Sequence, residues 1–323
     1  MRKWILGLGL VAALACGRLM TTPSPLPTPS PSPSATPVVM ITSPLTISGW
    51  DFLSEGHKIS LLGSVVCCSE TVLEKGWPLI NEAGLREIAE AKGNYTHIRL
   101  GPFINETDHG FEAYNSDGSW NQEFWTRAEG AVSLGQALGI YVEVDLIDSW
   151  ALKVGRNYFG SCDVVAVEPT EEMKVFVRKA VEVLGKYPNT LWQISNESGV
   201  WPCGRVLKPR WENGIAEVVL ATERALGYPH HLIGTNCGGD HPEIQNSALM
   251  DYWNVHEDRS VVAEGSRPLV VNEWGGFLTP AEWAAEARKA REHRTIFHLW
   301  RAESWTKDDE KEALRLLKEI QSE

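Results

Sequence analysis

The chain has 323 residues, of which 43% are hydrophobic and 22% charged. That composition excludes a disordered chain and is enough to bury a large core. With 30 Lys and Arg against 42 Asp and Glu, the formal net charge is −12. An acidic surface repels phosphate backbones, so no nucleic acid partner is expected.

Arg2 and Lys3 precede an apolar run from Trp4 to Ala15. About twelve residues suit the apolar core of a signal segment and are too few to span a bilayer. The run ends Ala13-Leu14-Ala15-Cys16, which resembles a bacterial lipoprotein box with Ala13 in place of the usual Leu. That resemblance implies lipidation of Cys16 and attachment to a bacterial membrane; ordinary secretion with cleavage near Ala15 is the alternative. Residues 1–20 are thus expected to be a leader, and the protein to be exported, as a cell-surface lipoprotein or in secreted form. Residues 21–38 carry seven prolines in eighteen positions, which neither helix nor sheet accommodates. Such a linker is extended at ~3.1 Å per residue and spans on the order of 50 Å, enough to hold a domain away from a membrane.

From residue 58 onward, short β-branched runs alternate with longer helical ones. Strands are expected over 58–66, 95–100, 139–146, 190–195, 231–235, 252–256, 269–272 and 295–300. Helices are expected over 79–92, 122–138, 171–187, 211–226, 242–250, 281–292 and 308–320. Met173, Val175, Phe176, Val177, Ala180, Val181 and Leu184 show the spacing of a helix face laid on a sheet. Eight strands joined by crossovers match an α/β fold, a single (β/α)₈ TIM barrel over residues 39–323. A doubly wound sheet would carry a Gly-rich turn after its first strand, and Gly63-Ser64-Val65-Val66 is not that motif.

A barrel places its chemistry at the C-terminal ends of the strands. The fourth strand ends in Asn196-Glu197 and the seventh in Asn272-Glu273-Trp274. Either Glu alone could be a solvated residue at a helix N-terminus. Two carboxylates flanking one bond are what glycoside hydrolysis requires: one protonates the leaving oxygen, and the other attacks the sugar or activates water. Aromatic residues follow the strand ends as well: Phe103, Trp150, Tyr158, Trp201, Trp274 and Trp305. Sugar rings pack their apolar C–H faces on such planes, so a polysaccharide or oligosaccharide is the expected partner.

Asn196-Glu197 after strand four and Glu273 after strand seven resemble the retaining glycoside hydrolases of clan A, with family 5, the cellulase and mannanase family, nearest. The resemblance implies Glu197 as acid/base, Asn196 on the sugar 2-hydroxyl and Glu273 as nucleophile, separated by about 5–5.5 Å. Arg99 ending strand two, His256 ending strand six and Trp300 ending strand eight fit as substrate contacts. In this scheme Arg99 holds Glu273 ionised and Trp300 stacks on the sugar; His256 could equally be a partner of Glu273. Two positions depart from family 5. Ile147 stands where a His is usual, and no Tyr shortly follows His256 in His256-Glu257-Asp258-Arg259.

Beyond Cys16, the cysteines at 67, 68, 162, 203 and 237 are odd in number and form no CxxC or Cys/His pattern. His230, His231 and His241 lack the HxH spacing of metal-dependent barrel hydrolases. No metal or organic cofactor is therefore expected, and a monomer is. Asn94-Tyr95-Thr96 and Asn196-Glu197-Ser198 match the glycosylation pattern, but the leader is of bacterial type. A sugar-binding barrel without catalysis is the competing reading.

Overall fold

The computed structural model describes residues 40–64, 82–100, 113–115, 117–148, 168–196, 209–236, 247–256, 267–274, 279–292, 296–299 and 306–323. The leader, the Pro-rich linker and all six cysteines lie outside these residues.

The chain first forms an antiparallel sheet that the sequence did not announce. Strands β1 (Thr46–Ser48), β2 (Asp51–Ser54) and β3 (His57–Lys58) pair in that order. The β2–β3 turn places Glu55 at φ 50° and Gly56 at φ 79°. Two successive left-handed residues make the hairpin turn that matches the right-handed twist of its strands. No Asn-Gly or Asp-Gly marks it, which is why 58–66 reads as one strand. Lys58 in fact closes the hairpin, and the first barrel strand, β4, is described over Leu62–Ser64, with residues 65–66 of the expected strand outside the described residues.

Seven more strands complete the barrel: β5 (Tyr95–Arg99), β6 (Tyr141–Asp148), β7 (Thr190–Asn196), β8 (Ile233–Thr235), β9 (Tyr252–His256), β10 (Leu269–Trp274) and β11 (Ile296–Leu299). All neighbours are parallel, and the order β4-β5-β6-β7-β8-β9-β10-β11 closes on itself. Strand six of the chain, β6, runs two residues beyond the expected 139–146, so Ile147 and Asp148 are ladder residues opposite Ser195 and Asn196.

Helices α1 (Glu82–Glu90), α2 (Gln122–Ala137), α3 (Glu171–Leu184), α4 (Pro209–Leu226), α5 (Pro280–Glu292) and α6 (Lys307–Ile320) lie between or after the strands. Their starts reflect short polar caps. Asn121 accepts from the Glu123 amide, Thr170 from that of Met173, and Thr306 forms a reciprocal box with Asp309. The expected helix over 242–250 is not seen in its described part, where residues 247–250 form a turn. None of the described helices is long and apolar enough to cross a membrane.

Three apolar clusters hold the described fold together, one of them packing Trp283 and Ala287 of α5 and Leu317 of α6 on Leu269 and Val271. Met173, Phe176, Val177, Ala180 and Leu184 of α3 pack with Trp125 of α2 and with Val142, Val144, Trp192 and Ile194 of the sheet. At the N-terminal end of the barrel, Ile41, Leu45 and Phe52 join Leu61, Tyr141, Leu191, Val270 and Ile296 in a separate cluster. Phe52 comes from the hairpin, is fully buried and meets the Tyr252 ring edge-on at 6.3 Å. The hairpin is thus the floor of the barrel. The Ile41 amide and carbonyl tie this floor to Gln136 of α2.

Candidate active site

Because every barrel strand runs the same way, the ends of β5, β6, β7, β9 and β10 collect at one mouth. Arg99 ends β5 and stands level with Asp145 of β6. Asp148 stands level with Asn196, the last residue of β7. Between Val271 and Glu273 the β9–β10 register shifts, and beyond this irregularity Glu273 pairs with His256. Bulges of this kind bend a strand end and re-aim its last side chains, and they concentrate beside active sites.

Asn196 is the most informative residue at the mouth. It is 1% exposed, and among the described residues neither its Oδ1 nor its Nδ2 has a hydrogen-bond partner. A buried amide left unpaired costs about 1–3 kcal/mol, so natural proteins seldom keep one without use. Such a group is positioned to donate to and accept from a polar ligand. Glu197 comes directly after it in sequence and lies outside the described residues.

The other expected site residues divide by position. Backbone placement puts His256 at the end of β9, and Glu273 and Trp274 at the end of β10, with their side chains outside the described residues. Trp150, Trp201 and Trp300 lie outside them altogether, as do Phe103, Tyr158 and Trp305. Arg99 is partly buried at the mouth. Asn94, in one of the two glycosylation patterns, has its amide engaged with the Leu62 amide and the Ser60 carbonyl.

Sequence reasoning overlooked the buried acids. Glu212 in the first turn of α4 is fully buried and accepts from Ser195 at 3.0 Å and from Thr235, bracing the ends of β7 and β8. Glu143 and Asp145 lie in the barrel interior on β6. The signal for the last two was present: Val142-Glu143-Val144-Asp145-Leu146 puts acids at alternate positions of a strand whose other residues are apolar.

The histidines at 230 and 231 belong to a structural cluster at the start of β8. His231 is fully buried, with Nδ1 2.7 Å from Glu223 Oε1 and Nε2 3.0 Å from the Tyr187 carbonyl. The Trp192 indole donates to the same Glu223 oxygen at 2.8 Å. His230 is 3.3 Å from Asp251 and 3.8 Å from Glu223. Burial pushes the Glu223 carboxyl up, but His230 and His231 outweigh it and hold it at about 2. Asp251 and then Glu223 raise His230 to about 10. Among the described residues no group of three or more His, Cys, Asp and Glu could hold a metal ion.

No protein-family model and no curated protein matches the chain. Solved structures do. An endo-1,4-β-mannanase from Rhizomucor miehei superposes with a TM-score of 0.59 at 12% identity, over 87% of this chain and 100% of that one. A family 5 glycoside hydrolase from Prevotella bryantii, bound to a xyloglucan tetradecasaccharide, superposes at 0.52 and 13% identity, over 81% and 93%. A glycoside hydrolase from Bacteroides vulgatus, described as putative, superposes at 0.54 and 15% identity, over 75% of this chain and 51% of that one. The chain therefore spans about half the length of that Bacteroides protein. At such identities the likeness establishes the fold alone, a parallel barrel shared with these glycoside hydrolase structures.

Proposed function

We propose that the protein is an exported glycoside hydrolase that cleaves O-glycosidic bonds of a poly- or oligosaccharide with retention of configuration. The observation that carries this reading is the buried, unpaired Asn196 amide at the end of β7, one residue before Glu197. The register of Glu273 with His256 at the end of β10, and the fold shared with the mannanase, support it.

In the first step the Glu273 carboxylate attacks the anomeric carbon while Glu197 gives its proton to the departing oxygen, leaving a glycosyl ester on Glu273. In the second step Glu197, now a carboxylate, takes a proton from water, and the resulting attack at the same carbon releases Glu273. Asn196 holds a sugar hydroxyl through a bond that tightens as the ring flattens. The Arg99 guanidinium favours the ionised nucleophile. Trp300, Trp274, Trp201 and Trp150 supply stacking planes, and His256 supports Glu273 or the sugar. Two carboxylates suffice for both steps, so neither metal nor organic cofactor takes part.

The Ala13–Cys16 sequence and the Pro-rich linker complete the proposal. Residues 1–20 direct export, Cys16 carries the lipid, and residues 21–38 space a monomeric barrel, residues 39–323, from the bacterial surface. Palmitate labelling that Cys16→Ala abolishes is expected; labelling unchanged by that substitution, or none at all, would leave plain secretion.

The deciding experiment is a screen of β-mannans, β-glucans, xyloglucan and aryl glycosides with wild type and Glu273→Ala. Turnover by the wild type and none by the variant is expected. Saturable glycan binding with no turnover would replace the enzyme by a binding barrel, and activity lost to a chelator and restored by a divalent ion would remove the cofactor-free mechanism.

A further inference from the structure

Barrels of this kind are ordinarily filled by branched aliphatic side chains. Here the middle layer is polar. Glu143 on β6 is fully buried. Its Oε2 accepts from the Tyr95 hydroxyl of β5 at 2.5 Å. Its Oε1 accepts from the Tyr252 hydroxyl at 2.7 Å and from Asn254 Nδ2 at 3.0 Å, both on β9. Asn254 also donates to Gln193 of β7. In the closed order β6 and β9 are not neighbours, because β7 and β8 stand between them. The carboxylate therefore bonds across the lumen rather than along a ladder.

The local sequence makes room for this. A Cβ on Gly234 of β8 would lie 2.1 Å from the Tyr252 ring, so only glycine there lets that ring lean in toward Glu143. Burial, and after it the Glu143 charge, raise both tyrosines well above the usual phenol range, so they remain donors. Burying a carboxylate is costly even when it is hydrogen-bonded, so stability is a weak reason for the arrangement. What the cluster adds is geometry at a fixed depth in the barrel. Two residues beyond Asn254, β9 ends at His256, opposite Glu273.

We propose that Glu143 is a positioning residue for the carboxylate site: through Tyr252 and Asn254 it clamps β9 to β5 and β6 from inside the barrel, and so fixes the strand end against which Glu273 is registered. This inference rests on the glycoside hydrolase reading of the mouth.

Glu143→Gln keeps the shape and removes one acceptor oxygen and the charge; Tyr252→Phe removes a single donor. Two readouts are taken on the full chain: amide exchange over residues 252–256 and 269–274, and kcat and KM on an aryl glycoside that the wild type turns over. For Glu143→Gln, exchange in these two segments rises about ten-fold with α3 unchanged. Its kcat falls about ten- to hundred-fold, with KM within about two-fold. Tyr252→Phe moves both readouts the same way by less. Wild-type exchange at β9 together with wild-type kcat in Glu143→Gln overturns the proposal. So does faster exchange everywhere, with kcat and KM following the folded fraction, since that marks a merely structural group. If Glu143→Gln does not fold, Tyr252→Phe decides by the same criteria. A wild type inert on every glycoside instead defeats the reading of the mouth, and the positioning role falls with it; the exchange measurement separates that failure from loss of the clamp.

Discussion

The two ends of this barrel are built from opposite materials. At the N-terminal end Ile41, Leu45, Phe52, Leu61, Leu191, Val270 and Ile296 make a closed apolar floor. From the middle layer to the mouth, Glu143, Asp145, Gln193, Asn254 and Asn196 bury polar groups inside the same strands. Apolar burial stabilises at about 25 cal/mol per Å², whereas each buried polar group costs free energy unless it is bonded. Stability is therefore concentrated at the floor and chemical capacity at the mouth, and a strand such as β7 changes character along its own length, from Leu191 to Asn196.

Substitutions at the two ends should separate these roles. The largest effect on stability is expected at the floor. Phe52→Ala empties a fully buried site between the hairpin and Tyr252 and should cost about 3–5 kcal/mol in urea unfolding, with kcat per folded molecule unchanged. A large loss of kcat there would break the division. At the mouth the reverse is expected. Asn196→Ala removes an unpaired amide, so its melting temperature should hold or rise, while kcat falls on the order of a hundred-fold, or about 2.7 kcal/mol of transition-state stabilisation. A destabilised Asn196→Ala with full activity would mean that the amide serves the fold.

The smallest effect is electrostatic and belongs to the cluster at the start of β8. Glu223 is held at about 2 against an ordinary 4.5, so its contribution is complete above pH 4.5 and fades as pH falls toward 2. His230 is raised from 6.5 to about 10, so its contribution is complete below pH 6.5 and fades as pH rises toward 10. Its side chain is 54% exposed, and solvent screening keeps that share small. Melting curves from about pH 6 to about pH 9 should fall less steeply for His230→Ala than for the wild type. Parallel curves would remove His230 from the set of pH-sensitive groups.

Much of the barrel could be read from the sequence because its signals are local. The 171–187 stretch carries a helical apolar face and a Thr170 cap, and it forms α3 over Glu171–Leu184. The hairpin was not legible: its strands are two to four residues long and its turns use Gly49-Trp50 and Glu55-Gly56. Such short strands show little period-two pattern and take their stability from the barrel beneath them. At the mouth, strand ends located Asn196 and Glu273, since parallel strands fix which end is shared. The polar interior was missed because Glu143, Tyr95, Tyr252 and Asn254 are brought together only by closure, across separations of 48 to 111 residues.

The central claim is that Glu273 forms a covalent bond to the sugar, and the anomer first released tests it most directly. Proton NMR of the earliest product from an aryl glycoside should show the configuration of the substrate, because two displacements at one carbon restore it. An inverted first product would mean that water attacks directly with a carboxylate as base, and Glu273 would lose the role of nucleophile.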